Sequence, residues 1–210
     1  MNGFEVSSPE SWPRCRLERI TLSAKPGFAS GVRDASGVAQ LRMNNVTRDG
    51  RFDWARVIRV PAAADVVADY ALQSGDILFN NTNSTELVGK TAVFSGYSET
   101  IVFSNHFTRI RVDPSQADAE YVGAYLNLLW AKGYFAEICN RWIGQSAIKW
   151  EKLKAVEVPL PSLADQLRIM ACIRRELTEV DRARKALADQ LAALDRYPAA
   201  LLREAFAGRL

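Results

Sequence analysis

"VPLPSLADQLRIMACIRRELTEVDRARKALADQLAAL", Val158 to Leu194, holds the change of character on which the fold turns. Up to Pro159-Leu160-Pro161 the chain is turn-rich and strand-like, and it carries most of its glycine, asparagine and aromatic residues there. Beyond that point glycine is missing until Gly208, and Ala, Leu, Arg, Glu, Asp and Gln dominate, a composition that favours helix. Ser162 is a good N-cap, and Asp165 stands three residues on, where a carboxylate reaches back to the cap. A seven-residue pattern follows. Leu163, Met170, Leu177, Arg184 and Leu191 form one set; Ile173, Val180, Leu187 and Leu194 form its companion, with Leu201 beyond a break expected at Pro198. Intervals alternating between three and four residues make the narrow apolar seam of a coiled coil. From Ser162 to Arg196 such a helix is about 50 Å long. Its stripe needs cover, either from its own domain or from a partner helix of a second copy or another protein. Arg184 favours a partner, because a charge on the seam sets register or orientation at a cost in stability.

Upstream, Trp54–Val60, Asp76–Phe79, Thr91–Phe94, Thr100–Phe103, Thr108–Val112 and Ala155–Val158 read as short strands between Gly, Pro, Asn and Asp punctuation. Tyr121, Tyr125, Leu128 and Leu129 fall at helical spacing and predict an amphipathic helix over Asp118–Lys132, with a shorter one over Tyr134–Arg141. The fold class expected is α+β: a mixed α/β domain of short strands over residues 1–158, then a long coiled-coil-forming helix region over 159–210. Neither an internal repeat nor a low-complexity tail is visible.

The 210 residues carry 27 Lys and Arg against 24 Asp and Glu, a net charge of +3, which allows a polyanionic partner without requiring one. Cys15, Cys139 and Cys172 are scattered without CxxC spacing, which argues for a reducing compartment and against a disulfide frame or zinc site. The first residues, Met-Asn-Gly-Phe-Glu-Val, lack a positive region followed by an apolar run, and no stretch has the apolar length to span a bilayer, so a cytoplasmic protein without membrane contact is expected. His106, the single histidine, sits among apolar residues in Phe103–Phe107 and reads as structural. Nucleophile-elbow, Walker, HExxH and GxGxxG patterns are missing, as are an Asn/Asp-Pro-Pro-aromatic methyltransferase motif and the carboxylate spacing of a metal-dependent nuclease. No catalytic residue, metal ligand or cofactor is expected.

What remains is a set of donors and acceptors in loops. Arg42, Asn44 and Asn45 stand together; Asn80, Asn81, Thr82, Asn83 and Thr85 form a polar tract between two strands, closed by Gly89-Lys90; Arg141, Gln145, Ser146, Lys149 and Lys152 lie in "NRWIGQSAIKWEK". Asn and Gln amides pair with the major-groove edge of adenine and Arg with that of guanine, whereas Lys, Ser and Thr suit phosphates. Each asparagine alone is equally a turn residue bonding its own backbone. Three loops of the same chemistry point to double-stranded DNA; the alternative is a coiled-coil interaction protein without DNA readout.

Four stretches in order carry a resemblance: "WPRCRLERI", "ALQSGDILFNNTNSTELVGKTAVFSG", "GQSAIKWEKLKAVEVPLPSLADQLRI" and "ALLREAFAGRL". The chain resembles the specificity (S) subunit of type I restriction–modification systems, in a half-length form with one target recognition domain and one conserved helix. Asp165 departs from the family's commoner glutamate, and a full S subunit carries two domains and two helices. The Met1 start and the family-like closing segment favour a self-contained half. The resemblance implies that the domain binds one half-site and that the helix is both spacer and docking rod for methyltransferase (M) subunits, which bring S-adenosylmethionine. A restriction (R) subunit, the nuclease–translocase, is an optional further partner. Two copies are expected to pair as a homodimer through antiparallel helices about a two-fold axis, so the DNA methylation target is expected to be an inverted repeat with half-site centres about 10 base pairs apart.

Overall fold

Every residue of the Ile77–Asn80 strand is buried, which is why it reads as a continuous apolar run: a strand covered on both faces loses the polar alternation of a half-exposed one. The computed structural model of the chain describes residues 12–209; the first residues, read above for a leader, and Leu210 of the closing segment lie outside them. In chain order the elements are β1 (Arg14–Arg16), β2 (Thr21–Pro26), β3 (Val38–Leu41), β4 (Ile58–Val60), α1 (Ala64–Tyr70), β5 (Ile77–Asn80), β6 (Thr82–Asn83), β7 (Thr91–Val93), β8 (Ile101–Phe103) and β9 (Phe107–Val112). They continue with α2 (Ala119–Ala131), α3 (Tyr134–Ile138), β10 (Asn140–Trp142), β11 (Gln145–Ala147), α4 (Trp150–Leu153), β12 (Glu157–Pro159) and α5 (Leu163–Phe206). The fold is α+β with a long carboxyl-terminal helix.

An antiparallel sheet in the order β2-β9-β5-β7 forms the centre. Side chains alternate across β5. Ile77 and Phe79 face the helices, where the Phe79 and Phe135 rings meet edge to face at 4.9 Å. Leu78 faces the other way, into a cluster with Leu41, Val46, Ile101, Phe103 and Phe107. That second layer is the sheet β4-β3-β8, in which β3 runs parallel to β8. Asp118 caps α2 by accepting from the Tyr121 N–H at 2.9 Å.

The two ends of this layered body are tied together. β1 pairs with β12, Arg14 opposite Pro159, and the Leu160 N–H donates to the Pro13 carbonyl at 2.7 Å. Tyr121 donates its hydroxyl to the Pro159 carbonyl at 2.9 Å, and burial pushes that phenol up to about 12. Gln166, fully buried, accepts from the Asp118 N–H at 2.9 Å and donates to the carbonyls of Gln116 and Pro161 at 3.2 and 3.0 Å. These bonds hold the first turn of α5 in the body, so the compact unit ends at Leu167, past the proline hinge, and a second unit runs from Arg168 to Leu210. The N-cap forms as read: the Asp165 N–H donates to Ser162 Oγ at 3.2 Å, and that hydroxyl donates to Asp165 Oδ2 at 2.7 Å.

Several boundaries differ from the sequence reading. The helix expected over Tyr134–Arg141 stops at Ile138, and Asn140–Trp142 turns into a strand. Trp54–Arg56 is a turn of 3₁₀ helix, leaving Ile58–Val60 as strand. Ala155–Val158 is shifted to Glu157–Pro159. No break occurs at Pro198; the helix runs on to Phe206. Pro198 has no N–H to give the Leu194 carbonyl, yet Ala, Leu, Arg and Glu on its far side propagate helix strongly enough to absorb the loss. No helix of the described residues is long and apolar enough to cross a membrane.

Candidate nucleic-acid interface

The polar tract after β5 is in large part scaffolding. The Asn80 N–H donates to the Lys90 carbonyl at 2.9 Å and the Gly89 N–H returns to the Asn80 carbonyl at 2.8 Å, closing the loop. Gly89 is required there: its φ is +97°, and a Cβ would lie 2.5 Å from the Phe135 ring. Asn80 is buried and its amide reaches the Met43 carbonyl at 3.4 Å. Asn81 is a hub. Its Nδ2 donates to Thr108 Oγ1 at 3.1 Å and the Asn105 carbonyl at 3.3 Å, its Oδ1 accepts from Thr82 Oγ1 at 2.8 Å, and its backbone joins His106 and Ile148. Lys90 is buried with its ammonium on the Val46 carbonyl; burial first, and the nearby Arg48 charge second, hold it below the usual lysine range. Asn45 is fully buried, accepting from the Arg42 N–H at 2.8 Å and donating to the Asp53 carbonyl at 2.9 Å.

Ser146 is buried against Thr85, hydroxyl to hydroxyl at 2.7 Å. Of the residues singled out from sequence, Asn45, Asn80, Asn81, Lys90 and Ser146 are therefore buried and bonded inside the fold rather than open at the surface, with Asn80 Oδ1 left without a partner. Asn44, Arg141, Gln145 and Lys149 are exposed, and Arg42, Thr82 and Asn83 half-exposed.

The three segments nonetheless meet. β6 adds to the β10–β11 hairpin, Thr82 opposite Ala147 and Asn83 opposite Ser146. The Asn80 amide, at the end of β5 just before it, reaches the Met43–Asn45 turn, and the Arg42 charge reaches His106. Burial first, and that charge second, lower the imidazole from its ordinary 6.5, and its Nδ1 is buried without a hydrogen-bond partner. Beside Asn81, Thr82 and Lys149 an open cleft of about 450 Å³ is walled by Asn105, Trp150 and Glu151. The arrangement offers exposed amides and cations on a rigid hydrogen-bonded base. Among the described residues, no group of three or more His, Cys, Asp or Glu could hold a metal ion.

The sequence reading missed the hairpin tip. Trp142 pairs with Gln145 across the two-residue turn Ile143-Gly144, Gly144 taking φ +83°, and Ile-Gly flanked by strand residues is the signal that could have found it.

No family model matches the chain. It is 26% identical over 195 residues to a putative type I restriction enzyme specificity subunit, MjaX, of Methanocaldococcus jannaschii, covering 87% of this chain and 46% of that protein. The chain resembles type I specificity subunits. Its fold agrees. A chain from a solved structure of type I R-M system assembly and conformational transition superposes with TM-score 0.70 at 20% identity, covering 98% of this chain and 48% of that one. The HsdS subunit from Thermoanaerobacter tengcongensis gives 0.62 at 21%, covering 100% and 48%. This specificity-subunit relative thus spans about half the length of the proteins it matches. Two of the stretches carrying the likeness have structural work: "WPRCRLERI" and "EVPLPSLADQ" supply β1, β12 and the Gln166 lock.

Proposed function

We propose that the chain is a specificity subunit of a type I restriction–modification system that reads one half of a bipartite site in double-stranded DNA. The observation that carries this reading is the joining of three polar loops through Asn80, Asn81 and the β6–β11 pairing. On that base Asn83, Asn44 and Gln145 present amides to base edges, and Arg42, Arg141 and Lys149 present cations. The chain is non-catalytic in this reading: M subunits dock on it, bring S-adenosylmethionine and methylate, and an R subunit joins where the system also restricts.

In the same reading two copies associate through α5. Along the stripe Ile173, Leu177 and Val180 are exposed, as are Leu187, Leu191 and Leu194 at 64%, 63% and 67%. Met170 is already buried and Leu163 partly so, which removes both from the free stripe. The stripe is self-complementary in an antiparallel pair: Ile173 meets Leu191, Leu177 meets Leu187 and Val180 meets Arg184. Arg184 then lies beside Val180 and Asp181 of the other copy rather than against its own twin. A two-fold axis makes each copy read the same half-site, so the target is an inverted repeat.

Methylome mapping of cells with and without the gene tests both parts. An inverted-repeat motif that vanishes with the gene is expected, and an unchanged methylome refutes the reading. Duplex retention should fall steeply as salt rises; salt-insensitive retention would favour an interaction protein without DNA readout.

A further inference from the structure

The β10–β11 hairpin combines three properties. Its tip is apolar and bare: Trp142 is 55% exposed and Ile143 fully exposed. Its base is fixed. β11 is bonded to β6, Ser146 Oγ to Thr85, the Ile148 N–H to the Asn81 carbonyl at 2.9 Å, Arg141 Nη2 to the Ala136 carbonyl at 2.7 Å, and Lys152 Nζ to Asn140 Oδ1 at 2.9 Å. Its own charge is of one sign: between Glu137 and Glu151 the charged residues are Arg141 and Lys149. Gly144 takes φ +83°, a conformation that side-chain-bearing residues rarely adopt, and so fits the two-residue turn.

An apolar prow with cationic flanks matches a surface that is anionic outside and stacked inside. A two-stranded ribbon fits a DNA groove, and apolar side chains at such tips separate base steps and kink the duplex. We propose that Ile143 and Trp142 form a wedge that enters the duplex beside the bases read by Asn83 and Gln145, unstacks one step and bends the DNA. The wedge rests on the DNA-reading function proposed above and adds to it a deformation that makes specificity depend on how easily that step opens.

The test uses the full chain and the duplex it retains from a random-sequence pool. End-label energy transfer should report a bend on the order of 20–90°, and 2-aminopurine scanning should brighten at one step. Ile143→Ser and Trp142→Ala, both at exposed positions, should leave the thermal melt unchanged and abolish most of the bend and the brightening. They should weaken binding about tenfold or more, the usual worth of a base stacked on an aromatic ring. A retained duplex that stays straight and dark, or variants that bend it equally, overturns the wedge alone. Straight DNA combined with loss of methyltransferase association in these variants also overturns it and makes the tip a protein contact. If no duplex is retained, the DNA-reading function falls and the wedge with it.

Discussion

Truncating Leu177 and Leu187 together should dissociate the proposed pair of copies. The two side chains are 45% and 64% exposed along α5, so between them each copy offers about one whole leucine of apolar surface. Antiparallel pairing puts Leu177 of one copy on Leu187 of the other, twice about the two-fold axis, and covers about two leucines in all. Full burial of a leucine is worth about 1.5–3 kcal/mol, so the double change Leu177→Ala, Leu187→Ala should cost about 3–6 kcal/mol. At 1.4 kcal/mol per power of ten that raises the dimer Kd by about two to four powers of ten. Both positions lie in the exposed second unit, and alanine keeps helix propensity, so circular dichroism should be unchanged. Sedimentation equilibrium across micromolar concentrations measures the shift. An unchanged Kd, or a native chain that sediments as a monomer at every concentration, refutes the pairing.

Register is checked separately: the double variant Leu177→Cys, Leu187→Cys should cross-link two copies on oxidation. Neither single variant should, because each cysteine then lies about 15 Å along the axis from its twin; cross-linking of the single variants as readily as the double would refute the antiparallel alignment. Lys149→Ala should weaken binding to every duplex and flatten the salt slope, whereas Lys90→Ala should lower the melting temperature with little change in salt slope, because its ammonium is spent on the Val46 carbonyl; duplex titrations beside thermal melts separate the two. His106 is held below its ordinary 6.5 by burial. Between that depressed value and 6.5 the unfolded chain binds a proton that the folded chain does not, so stability falls as the pH drops through this window and is fully present above it. Urea unfolding across the window should show a shallower loss in His106→Gln than in the native chain, and identical slopes would refute the argument.

What the sequence made legible follows from local physics. β5, β7, β8 and β9 sit at the centre with most of their residues buried, so apolar runs between turn residues mark them. Periodicity marks α2, and a seven-residue repeat without glycine marks α5. β1 and β12 are three residues each and pair across nearly the whole first unit; strands that short take their identity from the partner, which no local window contains. The same holds for β6, two residues long, whose partner β11 lies far along the chain. The false helix end at Arg141 came from a run with no breaker between Tyr134 and Trp142, while the informative glycine, Gly144, stood just beyond it.

The candidate site was half legible for a deeper reason. An asparagine that builds a loop and one that reads a base are chemically the same residue, and only the geometry of neighbours separates them. Asn81 binds Thr108, Asn105 and Thr82 and has little left for a ligand. Asn83, two residues on, accepts one backbone N–H from Ser84 through Oδ1 and remains half-exposed on the same strand edge. Strand alternation does not separate them, since residues two apart share a face; Asn81 lies between β5 and β6, where Thr108, Asn105 and Thr82 close on it, and the sequence does not show which neighbours will meet which asparagine. Polar tracts of this kind thus divide into a buried half and an exposed half. In the proposed reading, a contact that must tell one base from another needs stiffness, because a loose amide would pair with several; the buried Asn45, Asn80, Asn81 and Ser146 would supply it to Asn44, Asn83 and Gln145.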